Sequence, residues 1–125
     1  MRILEKIFKK RVKGLLVLST RSKNISNPTF KQVVEHIKEL FDKDEFIELA
    51  YREEDSKLAH LKASPADEGK GYNLEYLSKE KDEYFLKGSD VEQTMCFFRD
   101  FLEGHRIVDF DLTNNNWTKN IVREM

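Results

Sequence analysis

Cysteine is almost missing from this chain, because Cys96 is the only one among 125 residues. A single cysteine cannot form an internal disulfide, so nothing marks an oxidising compartment and a reducing cytoplasm fits best. Proline and glycine are also scarce, with two and five residues, whereas there are nine Phe, four Tyr and one Trp. This composition indicates a folded domain and excludes a disordered chain.

A long apolar run is missing as well. The longest candidate near the N-terminus covers only residues 15–18, whereas a signal peptide needs roughly 7 to 15 apolar residues and a membrane-spanning helix about 20. Secretion and membrane spanning are therefore disfavoured. The length is that of one ordinary domain, so we predict a single domain over residues 1–125, with a leader at 1–13 and a body at 14–125.

Charge is balanced overall but not along the chain, which has 22 basic and 23 acidic residues. Residues 1–14 contain six basic residues and one acidic residue, a net charge of +5, which leaves −6 for the other 111. A body without a basic excess argues against nucleic acid as a partner. In the leader, four apolar residues recur at helical spacing among Lys and Arg: Ile3, Leu4, Ile7 and Phe8. Such a basic amphipathic helix either packs on the domain or contacts a membrane surface.

Two amphipathic helices are predicted. Residues 89–104 begin with a capping box of Ser89 and Glu92 and end at Gly104, where a left-handed C-cap residue is expected. One face of this helix is apolar over its whole length: Val91, Thr94, Met95, Phe98, Phe101 and Leu102. Residues 27–41 begin with Asn27 as the cap, followed by proline, and carry an apolar stripe for three turns. Both stripes are typical of helices packed on a sheet.

Between residues 45 and 87 the apolar period changes from that of a helix to that of a strand. Short charged connections between these strands indicate an antiparallel meander. Residues 12–20 read as an interior strand, residues 21–27 as a polar loop, and residues 106–113 as an edge strand with Val108, Phe110 and Leu112 on one side. We therefore predict one α+β domain, an antiparallel sheet of five or six strands with both helices on one face.

No group of residues in the sequence has the spacing of a catalytic or metal site. Cys96 lies near the polar side of its helix without a histidine base placed beside it. The three histidines lack metal-ligand spacing: His36, His60 and His105. Residues 69–71 form too short a glycine loop for a phosphate site. We predict no catalytic residue, no metal site and no cofactor, and hence a protein that is not an enzyme.

Acidic residues crowd the predicted loops and the last predicted strand. An acidic surface with a few aromatic anchors suits docking to a basic protein, because charge steers the encounter and aromatic rings supply the buried contact. The simpler interpretation is that these charges only keep the protein soluble. We predict a partner-binding surface made of Glu53, Glu54, Asp55, Asp109, Asp111 and Trp117.

The order of these features resembles the small α+β immunity proteins of bacterial polymorphic toxin systems. The resemblance rests on the Asn-Pro-capped helix, the Tyr-rich meander, the helix that ends Phe98-Arg99-Asp100-Phe101-Leu102-Glu103-Gly104, and the single late Trp117. It implies a cytoplasmic protein without enzymatic activity that binds and blocks a cognate toxin, here a basic toxin domain.

Two alternatives stay open at this point. The first is an adaptor at a membrane surface or in a complex that uses the basic leader. The second is a small-ligand-binding domain with a pocket over the meander, lined by Tyr51, Tyr72, Tyr76 and His60. The sequence leaves the oligomeric state open.

Overall fold

The computed structural model of the protein describes residues 14–40, 45–54, 56–66 and 71–120. Within these ranges, seven antiparallel strands form one open sheet in the order β2-β1-β3-β4-β5-β6-β7, together with three helices. The strands are β1 (Leu15–Thr20), β2 (Asn24–Ser26), β3 (Ile47–Glu53), β4 (Ser56–Pro65), β5 (Tyr72–Leu77), β6 (Glu83–Ser89) and β7 (Thr118–Asn120). The helices are α1 (Phe30–Lys38), α2 (Val91–Gly104) and α3 (Asp109–Thr113). The predicted α+β class is confirmed.

The two edge strands were hidden in the sequence because each has only three residues, too few to show an alternating pattern. β2 lies inside the stretch predicted as a loop at 21–27 and pairs with β1, with Ile25 opposite Leu18. The chain reverses between them in a tight turn, where Thr20 Oγ1 accepts hydrogen bonds from the backbone N–H groups of Ser22 and Lys23, both at 3.3 Å. Because the turn is short, Asn24–Ser26 can pair with β1 and add a strand to the sheet.

One face of the sheet carries the core. Paired residues form a continuous apolar row across five strands: Leu18, Leu49, Leu61, Tyr76 and Tyr84. Against this face pack the buried residues of the two longer helices, Val33, Ile37, Phe97, Phe98 and Phe101. Because side chains alternate across a strand, the neighbouring residues point to the opposite face. That opposite face carries polar and charged side chains such as Glu48, Lys62 and Glu75.

Helix α1 begins two residues later than predicted. Its N-cap is Thr29, whose Oγ1 accepts from the Gln32 backbone N–H at 3.1 Å, while Gln32 Oε1 accepts from the Thr29 N–H at 2.9 Å. Asn27 does not serve as the cap because it directly follows β2 and is still hydrogen-bonded to β1. Its N–H donates to the Leu16 carbonyl at 2.8 Å, and its φ of 51° is left-handed.

Both ends of helix α2 lie one residue beyond the predicted ones. Ser89 is the last residue of β6, paired with Tyr72, so Asp90 becomes the N-cap and accepts from the Gln93 N–H at 2.8 Å. Ser89 instead accepts a hydrogen bond from the Thr94 hydroxyl at 2.9 Å. At the other end, His105 takes the left-handed C-cap conformation, with φ 61°. The capping chemistry was predicted correctly in kind, with each role shifted to a neighbour.

The edge strand predicted at 106–113 is wrong, because residues Asp109–Thr113 form helix α3. The backbone N–H groups of Asp111 and Leu112 both donate to the Val108 carbonyl, at 3.0 and 3.1 Å. Two asparagine side chains then donate hydrogen bonds to backbone carbonyls of this helix. Asn114 Nδ2 donates to the Phe110 carbonyl at 2.8 Å, and Asn115 Nδ2 donates to the Asp111 carbonyl at 2.7 Å. Local side-chain bonds of this kind favour a short turn of helix over a strand.

The predicted leader at 1–13 lies outside the described residues, as do Asp55, Phe41 at the end of the first predicted helix, and Gly69 and Lys70 of the glycine loop. Among the helices that the structure describes, none is both long and apolar enough to cross a membrane.

Candidate protein-binding site

Two of the acidic residues predicted to bind a partner lie at the turn between β3 and β4. Glu53 and Glu54 are both exposed, and Glu54 has a left-handed φ of 54° that reverses the chain. Glu53 Oε2 accepts a hydrogen bond from the Tyr51 hydroxyl at 3.1 Å. Burial raises the pKa of Tyr51, and the hydrogen bond to Glu53 and its negative charge raise it further.

Tyr51 connects this turn to the segment that follows helix α2. Its ring stacks on the His105 ring, with 4.0 Å between centroids and an interplanar angle of 14°. Lys79 Nζ lies 5.0 Å from the centroid of the Tyr51 ring, a cation–π distance. Burial lowers the pKa of His105, and the charge of Lys79 lowers it further. A Cβ added to Gly14 would overlap the Tyr51 ring, which explains a glycine there.

Asp109 begins helix α3, four residues after His105. Its side chain is 90% exposed, and Arg106 Nη2 lies 3.4 Å from its Oδ1. A carboxylate in the first turn of a helix interacts favourably with the helix dipole, but an ion pair this exposed contributes little to stability. Asp109 is therefore available to another molecule.

Asp111 points in a different direction from Asp109, toward Asp100 on helix α2. One oxygen of Asp100, Oδ2, is buried and accepts from no donor among the described residues. Burial raises the pKa of Asp100 to about 7, and the hydrogen bond and negative charge of Asp111 contribute to the rise, while the Val108 backbone N–H and Arg99 oppose it. The raised pKa favours a protonated Asp100 near neutral pH, beside the Asp111 side chain of α3.

Trp117 lies against the core. Its ring meets that of Phe97 edge-on, with centroids 5.2 Å apart, and that of Tyr76 at 6.2 Å. The ring is half-buried, and its Nε1 is buried without an acceptor among the residues that the structure describes. The structure thus gives the tryptophan a packing role between α2 and the sheet, and only its outer part reaches the surface.

The most exposed large apolar side chain in the described ranges is one that the sequence interpretation placed on the same strand side as Leu112. Phe110 is 72% exposed, and nearby Val108 is 41% exposed. In a strand, Phe110 and Leu112 would share a face. In a helix, residues two apart are separated by about 200°, so Leu112 packs on the core while Phe110 faces water. Asn114 and Asn115, the first two of the three asparagines after Thr113, were the signal in the sequence for this turn of helix.

Of the residues of the predicted ligand pocket over the meander, His60 and Tyr76 line one small cavity of about 110 Å³, whereas Tyr51 and Tyr72 are not in its wall. Tyr72 and Tyr76 are buried, where the Tyr72 hydroxyl donates to the Ile37 carbonyl and the Tyr76 hydroxyl accepts from the Ile107 N–H, both at 3.2 Å. His60 lies on the opposite face of the sheet, 3.6 Å from Glu48. Burial lowers the pKa of His60.

The described part of the molecule has small cavities at its surface. One of about 150 Å³ lies between the turn after β1 and the end of α1, with His36 and Phe46 in its wall. Another, of about 110 Å³, lies beside His60 and Phe85. No cluster of three or more His, Cys, Asp or Glu residues suited to a metal ion is found in residues 14–120 outside the three internal gaps.

Comparison of the chain with protein-family models, with curated proteins and with solved structures returned no significant match.

Proposed function

We propose that this protein is a non-catalytic protein-binding domain that neutralises a basic toxin domain in the cytoplasm, as the resemblance to immunity proteins implies. The observation that supports it is the Tyr51–His105 stack, which connects the two acidic segments predicted to bind a partner. Glu53 is bonded to Tyr51 on one side of the stack, and Asp109 follows His105 on the other. We name this surface, made of Glu53, Glu54, Asp109 and Asp111, the acidic edge.

The acidic edge inhibits by covering the toxin surface, without chemistry. Its exposed carboxylates, those of Glu53, Glu54 and Asp109, attract a basic partner over several ångströms and accelerate the encounter, but in water each exposed pair adds little to affinity. Binding must therefore be completed by desolvated contacts near the charges. Because exposed charges are screened by salt, association should slow as ionic strength rises.

Affinity capture from a lysate of the source organism tests this function in two steps. Tagged wild-type protein is compared with Asp109→Lys/Asp111→Lys and with Glu35→Lys/Glu75→Lys, which makes the same charge change at exposed positions on α1 and β5. A basic partner should be retained by the wild type and the control and lost from the first variant.

The captured protein is then expressed alone and together with this chain. Growth arrest that co-expression relieves is the expected result. A captured protein that does not slow growth, or the absence of any stoichiometric partner, would overturn the toxin-neutralising function.

A further inference from the structure

Val108 and Phe110 form an exposed apolar pair next to the acidic edge. In the described ranges, the other large apolar residues with substantial exposure are Leu15, Phe85 and Val91, each at 38 to 40%, whereas Phe110 reaches 72%. A single exposed apolar side chain is ordinary on a protein surface. What distinguishes Phe110 is how firmly it is presented and which charges surround it.

Helix α3 is fixed to the body at both ends. Before it, Ile107 is buried, 1% exposed, and its N–H donates to the Tyr76 hydroxyl. After it, Asn115 donates to the Asp111 carbonyl and accepts from Gln93 Nε2 of α2 at 3.0 Å. A side chain on an element held this way loses little freedom on binding, which is the condition for an efficient anchor.

Charge decides which partner fits. Asp109, whose side chain is 90% exposed, precedes Phe110 directly, and the half-buried Asp111, which faces Asp100, follows it. Arg106 compensates only part of this charge, because its contact to Asp109 is long and its own side chain is 53% exposed. A second copy of this chain would bring the same carboxylates together and repel, whereas a pocket lined by Lys and Arg would pair with them.

We propose that Phe110, supported by Val108, is the aromatic anchor of the acidic edge and inserts into an apolar pocket rimmed by Lys and Arg on the partner protein. The proposal rests on the proposed function and adds the chemistry of the contact. An aromatic ring seated in a pocket supplies the desolvated contact, and the exposed Asp109 pairs with the basic rim.

A titration with designed peptides tests the anchor without the toxin. The probes are two amphipathic helical peptides of equal length, one composed of Leu and Arg and the other of Leu and Glu. We expect the Leu/Arg peptide to shift the backbone NMR signals of residues 108–113 and the Leu/Glu peptide to leave them unchanged. Phe110→Ala should weaken binding of the Leu/Arg peptide by about tenfold or more, and Phe110→Leu should retain most of it.

Phe85→Ala is the matched control, since Phe85 is an exposed aromatic residue on the opposite face of the sheet. Equal binding by wild type and Phe110→Ala, or equal loss in Phe85→Ala, would overturn the proposal. A wild-type dimer in sedimentation equilibrium that Phe110→Ala dissociates would also overturn it, by making a second copy the occupant.

These outcomes are independent of the capture experiment. Capture of a toxin that Phe110→Ala binds as tightly as the wild type does would remove the anchor and leave the proposed function standing. If the Leu/Arg peptide binds as expected but no toxin is captured, the anchor stands and the toxin-neutralising function is removed.

Discussion

Helices α2 and α3 follow each other in the chain, yet they place their aromatic side chains in opposite environments. α2 buries Phe97, Phe98 and Phe101 against the sheet, while α3 turns Phe110 into water. The difference is one of length. A helix of 14 residues can align a whole stripe of apolar side chains with a sheet, whereas five residues make little more than one turn and can turn only one side to the core. In α3 that side is taken by Leu112.

Truncating the buried aromatic residues should have the largest effect. Phe98 is fully buried, so Phe98→Ala removes a ring and leaves a cavity among the core residues of the sheet. We expect a loss of about 3–5 kcal/mol in the free energy of unfolding, measured by urea denaturation. A loss below that of Trp117→Ala, whose ring is only half-buried, would contradict the placement of the core.

The proximity of Asp100 on α2 to Asp111 on α3 should make the free energy of unfolding depend on pH. The pKa of Asp100 is about 7 in the folded protein against an ordinary 3.8, so the folded state binds the proton more tightly. The stabilisation that protonated Asp100 contributes is fully present below about pH 3.8 and is lost as the pH rises through about 7. Between pH 6 and 7 the unfolding equilibrium constant should rise with pH, by at most about tenfold per pH unit.

Asp100→Asn is the variant that isolates this effect, because an amide at this position does not titrate. The dependence of the free energy of unfolding on pH between pH 6 and 8 should become weaker in Asp100→Asn. It should persist in Asp109→Asn, because the Asp109 carboxylate is exposed. His60 and His105 have lowered pKa values, so their protonation near pH 6 acts in the opposite direction in all three proteins. An unchanged slope in Asp100→Asn would show that the pair does not share a proton.

Removing the cap of α2 should have a moderate effect. Asp90 accepts from the Gln93 N–H at 2.8 Å, and its loss leaves that donor without its partner. Asp90→Ala should reduce the free energy of unfolding by about 1 kcal/mol. In α3 the cap residue Val108 makes no side-chain hydrogen bond, and Asp109 is the first residue of the helix. Asp109→Ala should therefore reduce the free energy of unfolding by at most a few tenths of the loss in Asp90→Ala. Equal losses in thermal denaturation would contradict the assignment of the caps.

Phe110→Ala should change stability least. A side chain that is 72% exposed removes little apolar surface from water, so the free energy of unfolding should stay within about 0.5 kcal/mol of the wild type. Urea denaturation beside Phe98→Ala gives the direct comparison. A loss of several kcal/mol would show that Phe110 belongs to the core and could not serve as an anchor.

The long periodic segments of this protein could be predicted because each carries enough repeats to specify its own structure. Three turns of stripe identified α1, and a capped stripe ending in Phe98 and Phe101 identified α2, with cap positions off by one or two residues. The caps differ from the predicted residues because Asn27 and Ser89 are still paired with the sheet, Asn27 with Leu16 and Ser89 with Tyr72. A sequence pattern cannot show where a strand's last hydrogen bond lies.

The candidate site was only partly predictable. The acidic residues at 53, 54, 109 and 111 could be named because charges crowding turns are visible in the sequence. The roles of the two aromatic residues could not, because exposure depends on the direction of a side chain and five residues fit either period. Trp117 packs on Phe97, and Phe110, predicted as a strand residue on the same side as Leu112, faces solvent.

The sequence by itself determined the α+β class, the two long helices and the acidic character of the body, because periodicity and charge are local properties summed over many residues. Tertiary structure alone decided that Tyr51 stacks on His105, that Asp100 meets Asp111, and that α3 is a helix with Phe110 outside. Each of these is a contact between residues separated in the chain, or a choice between helix and strand that the periodicity of five residues does not decide. In both cases the packing of the rest of the domain selects the result.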